Sequence, residues 1–502
     1  MAGKILTEGY AIYPSIKLQK IKTDEKTGEK KLAFAKELIF GDRIVPYVKK
    51  NGDYSRVVIK GVEYIRVSSR RCSGVIKESE IQEERPLEVN FIDVGQGDGC
   101  HIVTPDDKHF LIDAGKSDNM FRFLRWRFNL KDASVAPPPF TVVVSHSDTD
   151  HYQGFGEVFS THKDLRQQVS IDKVYHNGIV EASGSDAASL GTVIDVKGHA
   201  FSKYVTDLCD TPEDYKKRAK SLKESKKNGL YINTLNKAAD APKQSLRLGS
   251  APIYDDCGVK IEVLGPVAEK IDGKDALPYF GSIGETKNGH SVILKLTMGK
   301  LRLLLGGDLN TKSEYYLLQH FSGIDVKSIV AKLDDPKTSD EKKKELEAQL
   351  NEAICKARKY LEVDIAKSCH HGSADFSTEF LRAVNPIATI ISSGDDEPYA
   401  HPRPDTLGTI GKHSRGKRSL IFSTELARSG KEFVEVAKLK DSDKKLERVV
   451  TVYGMINVRA DGEKAIIAQK LEKVVGKTNW DIHKLRWSEE KQEFEYLQDN
   501  KG

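Results

Sequence analysis

The sequence predicts an α/β fold in which short buried strands carry polar loops at their ends. Three observations lead to it. Residues 140–144 form a continuous apolar run, which is typical of a buried strand. Further β-rich runs recur along the chain, at residues 87–94, 100–103, 109–113, 259–264, 291–296, 301–305 and 363–366. Residues 338–361 have helical spacing, with one apolar stripe made of Leu346, Leu350, Ala353, Ile354, Ala357 and Leu361.

Two shorter patterns refine the helical elements. Thr338 and Glu341 have the spacing of a capping box, which predicts that the long helix begins there. Residues 121–128 are consistent with a second, short amphipathic helix. The fold class therefore mixes strands and helices along the whole chain.

Composition limits the function without naming it. The chain has 502 residues, enough for roughly two to four domains. With 79 basic against 74 acidic residues, the net charge of +5 permits a polyanionic substrate but does not require one. No apolar run is long enough to span a membrane, and residues 1–8 lack the apolar core of a secretory signal. Six scattered cysteines without a Cys-x-x-Cys pair favour a reducing, cytoplasmic location.

Changes in composition and in the pattern of β-rich runs along the chain predict three domains. Residues 1–85 are β-rich, and Gly41-Asp-Arg-Ile-Val-Pro-Tyr47 followed by an Asn51-Gly52 turn resembles a bacterial SH3-like barrel. Residues 86–440 form the central domain, with an insertion at about 199–250 and the added helix at 338–361. Residues 441–502 form a C-terminal β extension, in which Asp461-Gly462 predicts the turn of a hairpin.

The densest group of reactive side chains follows the apolar run at 140–144. His146, Asp148, Asp150 and His151 place four potential metal ligands within six residues. Imidazole nitrogens together with carboxylate oxygens suit Zn²⁺, Mn²⁺ or Fe²⁺. The alternative is a polar loop of solvated side chains, but this packing of ligand types is uncommon. The sequence therefore predicts a metal site at the end of this strand.

This run is similar to the signature of the metallo-β-lactamase superfamily, usually His-x-His-x-Asp-His. Aspartate at the second histidine position is typical of the branch that contains the soluble domain of ComEC-type competence proteins. Other motifs resemble that branch in the same order: Phe91-Ile-Asp-Val-Gly-Gln-Gly-Asp98, Leu111-Ile-Asp-Ala-Gly115, Leu303-Leu-Leu-Gly-Gly-Asp308, Cys369-His-His-Gly-Ser373, and Ile390-Ile-Ser-Ser-Gly394 with Ala400-His-Pro402. The resemblance spans about residues 87–425.

The resemblance implies an αββα sandwich with two divalent metal ions, Zn²⁺ or Mn²⁺, at the rim between the sheets. His146 and Asp148 would hold one ion, Asp150 and His151 would hold the other, and Asp308 would bridge both. Near the position of the superfamily's third metal-binding histidine, this chain has His290. We include His290 as a predicted ligand, although a capping or surface histidine is an equal alternative.

The double histidine divides between two roles. His371 is the favoured metal ligand, and His370 would then face the substrate's phosphoryl or carbonyl oxygen. His401 is predicted to be a ligand or a proton donor, with a plain loop residue as the alternative. The predicted catalytic set is therefore Asp150, Asp308, His370 and His401, with both aspartates positioning a metal-activated hydroxide.

Two further aspartates and a group of cations have predicted supporting roles. Asp113 is expected to be structural, and Asp98 to orient a ligand histidine. Arg403, Lys412 and Arg415 follow the last motif and would contact a phosphodiester backbone if their loop returns to the rim. A solvated turn is the alternative. The lysine-rich stretch at 216–227 is likewise either a solvated helix face or a nucleic-acid contact.

These observations predict a metal-dependent hydrolase, in first place a phosphodiesterase or nuclease acting on DNA or RNA. The absence of a cysteine from the predicted ligand set points away from β-lactam substrates and towards phosphoesters. One alternative is hydrolysis of a small phosphoester or cyclic nucleotide, with the segment at 199–250 acting as a lid. Another is a non-catalytic binding module that recruits protein partners through its N-terminal and C-terminal β units.

Overall fold

The computed structural model describes residues 5–132, 136–394, 400–424, 455–475 and 478–497. Strands and helices alternate along the chain, so the predicted mixed α/β fold is confirmed. None of the described helices is both long and apolar enough to cross a membrane. All six cysteines are free.

The strands fall in three parts of the chain. Those of the N-terminal part are β1 Gly9–Ala11, β2 Ser15–Thr23, β3 Lys30–Ile39, β4 Arg43–Pro46, β5 Arg56–Ile59, β6 Val62–Ser69, β7 Cys72–Ile76 and β8 Ile81–Gln82. The central strands are β9 Leu87–Phe91, β10 Gly99–Val103, β11 His109–Ala114, β12 Pro139–Val143, β13 Ser170–His176, β14 Thr192–Asp195, β15 Lys203–Thr206, β16 Lys243–Ser245, β17 Tyr254–Asp256, β18 Val259–Gly265, β19 Glu269–Ile271, β20 Lys274–Pro278, β21 Ile293–Met298, β22 Leu301–Leu305, β23 Ile365–Lys367, β24 Ala388–Ile391 and β25 Leu420–Ser423. The C-terminal strands are β26 Ile456–Ala460, β27 Lys464–Val475, β28 Thr478–Ser488 and β29 Glu493–Leu497.

The helices lie mainly between the central strands. They are α1 Asn119–Arg127, α2 Thr149–Tyr152, α3 Phe155–Val158, α4 Pro212–Glu224, α5 Leu230–Leu235, α6 Ile283–Gly289, α7 Thr311–Ser322, α8 Val326–Asp334, α9 Asp340–Leu361, α10 Thr378–Val384 and α11 Pro404–His413.

Two large sheets form the centre of the molecule. One has ten strands in the order β16-β13-β12-β11-β10-β9-β26-β27-β28-β29, and the other has seven in the order β17-β18-β21-β22-β23-β24-β25. Every residue of β9, β10 and β11 is buried, including polar residues such as Asn90, His101 and Asp113. A smaller sheet, β14-β15-β20-β19, lies beside them.

The packing of apolar side chains makes the central region a four-layer sandwich. Phe91 and Ile102 of the ten-stranded sheet share one core with Leu294 and Leu303 of the seven-stranded sheet. The opposite face of the ten-stranded sheet packs on α1, α3, α4 and α5. The opposite face of the seven-stranded sheet packs on α7, α8, α9 and α10. Helices therefore cover both outer faces, in the αββα order that the sequence resemblance implies.

The long helix α9 confirms the predicted apolar stripe but not its predicted start. The buried residues of α9 are Leu346, Leu350, Ala353, Ile354, Ala357 and Leu361, which are the residues of the stripe. The cap is Ser339, whose hydroxyl accepts a hydrogen bond from the Lys342 N–H at 3.3 Å. Thr338 precedes the cap, and its hydroxyl donates to the carbonyl of Lys332 at 2.7 Å instead of accepting from the helix. The capping box at Thr338 and Glu341 was therefore wrong.

The N-terminal strands form an eight-stranded sheet around Leu18, Leu38, Ile44 and Val67. Its likeness to an SH3 barrel stays a prediction. The C-terminal strands do not stand apart from the centre, because β26 pairs with β9 and extends the ten-stranded sheet. The proposed boundary at residues 440 and 441 lies outside the described residues.

Residues 199–250, expected to be an insertion, take part in the central layers. β16 is the edge strand of the ten-stranded sheet and pairs in parallel with β13. Tyr215 and Leu222 of α4 are buried in the core beneath that sheet. The lysine-rich side of α4 is exposed, as its sequence predicted. The stretch therefore includes structural elements of the sandwich as well as surface.

A buried carboxylate on α7 gives the fold a pH-sensitive contact. Glu314 is 2% exposed and accepts a short hydrogen bond from the backbone N–H of Ser377. Burial raises the pKa of Glu314 to about 8, against the effect of the hydrogen bond. The folded protein therefore holds this side chain neutral at pH 7.

We expect Glu314→Gln to stabilise the fold at alkaline pH. Because the folded-state pKa lies above the unfolded value, the wild type is most stable below about pH 4.5 and loses this contribution as pH rises through about 8. At pH 9 the variant should have the larger free energy of unfolding. The difference should be about 1 kcal/mol for each unit by which folding raises the pKa of Glu314. Urea unfolding at pH 6 and pH 9 measures this. Exposed Glu347→Gln is the control, and an equal pH dependence in wild type and Glu314→Gln would contradict the assignment.

Candidate metal centre

The candidate site lies where strands of both sheets end. The loop at 145–151 follows β12 of the ten-stranded sheet. Three loops of the seven-stranded sheet meet it: 306–310 after β22, 368–373 after β23 and 392–394 after β24. Because β22, β23 and β24 are parallel, their carboxyl ends deliver these loops to the same edge. The sequence-predicted motifs are thereby brought together.

Two imidazoles converge on one carboxylate oxygen. Nε2 of His151 lies 3.1 Å from Oδ2 of Asp308, and Nε2 of His371 lies 3.0 Å from the same oxygen. His146 shares the space with His151 and Asp308, since their ligand atoms lie within 4.8 Å of one another. Asp150 joins from the other side, with Oδ2 at 3.7 Å from Nε2 of His371. Five predicted ligands therefore lie in two groups that share His151: one with His146 and Asp308, the other with Asp150 and His371.

The Nδ1 atoms of the two converging imidazoles are held by acceptors, which turns the Nε2 lone pairs towards the cluster. Nδ1 of His151 lies 2.8 Å from the carboxylate of Asp113, and Nδ1 of His371 lies 3.0 Å from the carbonyl of Ser392. Both partners can only accept, so both Nδ1 atoms carry the proton. Metal-binding histidines in proteins are commonly held in this way.

His146 is oriented by a serine in the same manner. The Ser145 hydroxyl donates to Asp113 at 2.6 Å and lies 3.0 Å from Nδ1 of His146. Because Ser145 gives its only hydroxyl hydrogen to Asp113, its oxygen accepts a hydrogen bond from the Nδ1–H of His146. Asp113 therefore positions two histidines at once, one directly and one through Ser145. Its φ of 57° is in the left-handed region that aspartate tolerates better than most residues.

The donor atoms of the cluster fit a divalent cation. Nε2 of His151, Nε2 of His371 and Oδ1 of Asp308 are buried and have no hydrogen-bond partner among the described residues. Leaving such atoms unpaired is costly unless a ligand satisfies them. Imidazole nitrogen with carboxylate oxygen is the donor set that Zn²⁺ and Mn²⁺ accept. The residues that would hold the ion are Asp150, His151, Asp308 and His371, with His146 beside them.

The pKa shifts of the cluster also indicate that it attracts positive charge. Burial favours the neutral forms, yet the carboxylates of Asp308 and Asp113 raise the pKa of His151 well above its usual value. Likewise Asp308 and Asp98 raise the pKa of His371 to about 10 despite burial. These two imidazoles in turn hold the pKa of Asp308 well below its usual value, against burial. The carboxylates that raise the pKa of these imidazoles would also attract a divalent cation.

Close backbone packing fixes Asp150. Gly97 has φ of 102°, and a Cβ there would lie 1.7 Å from the carbonyl oxygen of Asp150. Only glycine therefore allows the turn at 95–99 to approach the metal loop. In return, the neighbouring Gln96 side chain donates to Oδ2 of Asp150 at 3.3 Å.

Lys367 is a site residue that sequence reasoning missed. It ends β23 and is almost fully buried, and its ammonium forms a short ion pair with Asp98. The ammonium also donates to the carbonyl of Gly307 at 2.9 Å and lies 3.6 Å from Oδ1 of Asp308. Asp98 in turn lies 3.2 Å from Nδ1 of His371, so it orients that histidine as predicted. A lysine at the end of an apolar strand was the available signal.

Asp148 lies apart from the converging ligands. Its Oδ2 is 3.8 Å from Nε2 of His146, but its Oδ1 pairs at 2.5 Å with the ammonium of Lys287. Lys287 also donates to Glu181 at 3.3 Å. Among the described residues, Asp148 belongs to no group of three potential ligands. Lys287 was not anticipated, because its helix α6 is far away in sequence.

His290 does not join the cluster. It caps the C-terminus of α6, and its Nε2 lies 2.7 Å from the carbonyl of Pro278. Its ring stacks on Phe280 with centroids 4.7 Å apart. The capping alternative is therefore the one observed, and the predicted role as a ligand is not supported by the geometry. The neighbouring Ser291 reaches the site instead, at 3.3 Å from Nδ1 of His146.

His370 and His401 lie at the edge of the cluster. Their ring centroids are 5.8 Å apart, and the ring of His401 is 6.5 Å from that of His371. Nδ1 of His370 is buried without a hydrogen-bond partner in the described part of the chain. Burial lowers the pKa of His370, so its imidazole is neutral at pH 7. Their contact with a substrate stays a prediction.

The three predicted substrate-binding cations separate. Arg403 is exposed next to His401, and Lys412 is exposed in the last turn of α11. Arg415 instead pairs with Asp364 at 2.5 Å and with Glu362 at 3.1 Å. Asp364 precedes β23, whereas the site follows that strand, so Arg415 lies at the opposite edge of the sheet. This geometry does not support its predicted role in substrate binding, because the carboxylates of buried Asp364 and half-buried Glu362 pair with its side chain.

Comparison with known proteins gives distant structural similarities. No family model and no curated protein matches the sequence. The solved structures that resemble it include a metal-dependent hydrolase of the β-lactamase superfamily, with 11% identity over 67% of this chain and 95% of that chain and a TM-score of 0.26. A protein from Parabacteroides distasonis, named as a putative metal-dependent hydrolase, has 12% identity over 76% of this chain and 99% of that chain and a TM-score of 0.27. CmlA, a diiron β-hydroxylase from Streptomyces venezuelae, has 11% identity over 69% and 55% and a TM-score of 0.32. At these TM-scores the similarities assign neither substrate nor reaction.

We expect metal binding to release protons and to strengthen as pH rises. An ion can bind Nε2 of His371 only after that atom loses its proton, and the pKa of His371 is raised to about 10. Apparent affinity for Zn²⁺ or Mn²⁺ should therefore increase between pH 6 and pH 8, about tenfold per pH unit for each proton released. Calorimetric titration in two buffers of different ionisation enthalpy counts these protons.

His371→Ala should weaken binding and reduce the proton release. Asp256→Asn is the matched control, because Asp256 belongs to an exposed group of potential ligands at the surface. If Asp256→Asn lost the ion while His371→Ala kept it, the metal would lie at the surface group and not at the strand ends.

Proposed function

We propose that this protein is a metal-dependent hydrolase of the metallo-β-lactamase superfamily, of the ComEC-type branch, and that it cleaves phosphodiester bonds in DNA or RNA. The observation that carries the proposal is the convergence of the His151 and His371 Nε2 atoms on Oδ2 of Asp308, with His146 and Asp150 alongside. Ordered motifs that resemble that branch support the family assignment.

The side chains have distinct tasks in this proposal. A bound divalent ion supplies Lewis acidity, which activates water and stabilises negative charge on a phosphoryl oxygen. Asp150 and Asp308 hold the ion's position and orient the attacking water by accepting hydrogen bonds. His370, neutral and at the edge of the cluster, faces the phosphoryl group. His401, whose ring centroid lies 5.8 Å from that of His370, would protonate the leaving oxygen.

Several features favour a phosphodiester over a β-lactam. The converging donors are nitrogen and oxygen only, and Cys369 belongs to none of the potential metal groups of the described residues. Arg403 is an exposed cation beside His401, available to a phosphate oxygen. The exposed side of α4 carries Lys216, Lys217, Lys220 and Lys223. A polyanion crossing this surface would meet several lysines before it reaches the centre.

The second candidate is a hydrolase of small phosphoesters or cyclic nucleotides. The four-stranded sheet β14-β15-β20-β19 favours it, because β20 ends at Pro278 and holds His290 beside the site. Such a wall would narrow the cleft and exclude polymers. In the non-catalytic alternative, protein partners would bind the N-terminal and C-terminal β units. These units pack together through Ile39 and Phe40 on one side and Ile466 and Trp480 on the other, so they would offer one continuous surface. A cytoplasmic location remains a prediction.

We expect the wild type, loaded with Mn²⁺ or Zn²⁺, to cut plasmid DNA, single-stranded DNA or RNA. Asp308→Ala and His151→Ala should each lower kcat by about 100-fold or more, because each removes a converging ligand. Asp256→Ala, outside the site, should keep full activity. Gel assays on the three polymers, with bis-(p-nitrophenyl) phosphate and a cyclic nucleotide in parallel, measure this.

The substrates that are cleaved separate the three candidates. Cleavage of the small esters alone, with polymers untouched, would replace the nuclease by the second candidate. Failure to cleave any ester while the metal is bound would leave the binding module. Activity that survives in Asp308→Ala would remove the site from the reaction.

A further inference from the structure

We propose that the centre holds one divalent ion tightly rather than two, and that the ammonium group of Lys287 provides the positive charge where a second ion would lie. The single ion is held by Asp150, His151, Asp308 and His371. This inference rests on the proposed function only in requiring that the cluster binds a metal.

The ligands for a second ion are incomplete. Besides the bridging Asp308, that ion would have His146 and Asp148, and a third histidine would complete its ligands. The only histidine near the expected position in sequence is His290, and its Nε2 is engaged by the Pro278 carbonyl at 2.7 Å. The main ion, by contrast, has Asp150, His151 and His371, whose ligand atoms lie within 4.8 Å of one another. Oδ2 of Asp308 lies 3.1 and 3.0 Å from the two imidazoles. The chain therefore supplies one full set of ligands and one partial set.

Lys287 already occupies the free carboxylate of the partial set. Its ammonium lies 2.5 Å from Oδ1 of Asp148, and its side chain is only 14% exposed. Glu181 anchors the same ammonium at 3.3 Å, which holds Lys287 over Asp148 from the far side. A dication bound to Asp148 would have to displace this ammonium or remain next to it, and the two like charges repel each other.

The direct test is the number of ions per chain. The purified full chain is stripped with chelator, and Co²⁺ is then titrated while its visible absorption is followed. Elemental analysis after dialysis against Zn²⁺ or Mn²⁺ gives an independent count. We expect the absorption to saturate at about one equivalent and elemental analysis to find about one ion per chain.

Lys287→Gln tests the role assigned to the ammonium. It removes the charge and retains a side chain that can hydrogen-bond to Asp148, so we expect a second, weaker equivalent to appear in the titration. Lys342→Gln is the matched control, since Lys342 pairs with Glu345 on exposed α9 and should leave one equivalent. Circular dichroism of both variants checks that they are folded, and the count on the wild type does not depend on them.

Each outcome has a separate meaning. Two tightly bound ions in the wild type would overturn this inference and leave the proposed function intact. No bound ion in the wild type would overturn the proposed function itself. A single ion in both wild type and folded Lys287→Gln would show that the missing third ligand, not the ammonium, excludes the second ion, and would overturn the role given to Lys287.

Discussion

The contact between Oδ2 of Asp308 and two imidazole nitrogens is the constraint on which the site depends. At 3.1 and 3.0 Å, the Nε2 atoms of His151 and His371 approach this oxygen without forming hydrogen bonds that satisfy them. Such an arrangement is favourable only when a positive charge lies between the groups, as protons or as a metal ion. The buried surroundings strengthen this requirement, because an unpaired polar group costs more where the local dielectric is low.

The four-layer architecture makes this contact possible, because it brings the ends of strands from both sheets together. His151 comes from the ten-stranded sheet, whereas Asp308 and His371 come from the seven-stranded sheet. The shared apolar core, with Phe91 and Leu303 among its members, fixes the distance between the two sheets. Ser145, Asp113 and Ser392 then fix the direction of each imidazole. Global packing sets the position of the site, and a few hydrogen bonds set its chemistry.

Local patterns in the sequence predicted the elements and the ligand loop well. The stripe of α9 could be predicted because burial of one helix face makes apolar residues recur at helical spacing. The strand before His146 could be predicted because a buried strand is a continuous apolar run. The sequence did not predict the role of a side chain whose partners lie far away along the chain. Arg415 was misjudged because the acidic groups that hold it, Asp364 and Glu362, lie about fifty residues earlier in the chain.

The same limit explains the two lysines and the histidine that changed the description of the site. Lys367 and Lys287 enter it from a strand end and a helix that carry no motif for cations. His290 has the expected place in sequence but turns to the Pro278 carbonyl, a partner twelve residues away that no local pattern specifies. Tertiary contacts therefore decided which side chains could serve a metal and which could not.

The most direct measurement of the central claim is anomalous diffraction at the metal absorption edge from crystals soaked in Zn²⁺ or Mn²⁺. We predict a peak at roughly 2.0–2.2 Å from Nε2 of His151, Nε2 of His371 and Oδ2 of Asp308. A peak elsewhere in the molecule, or no peak at these three atoms in metal-saturated crystals, would contradict it.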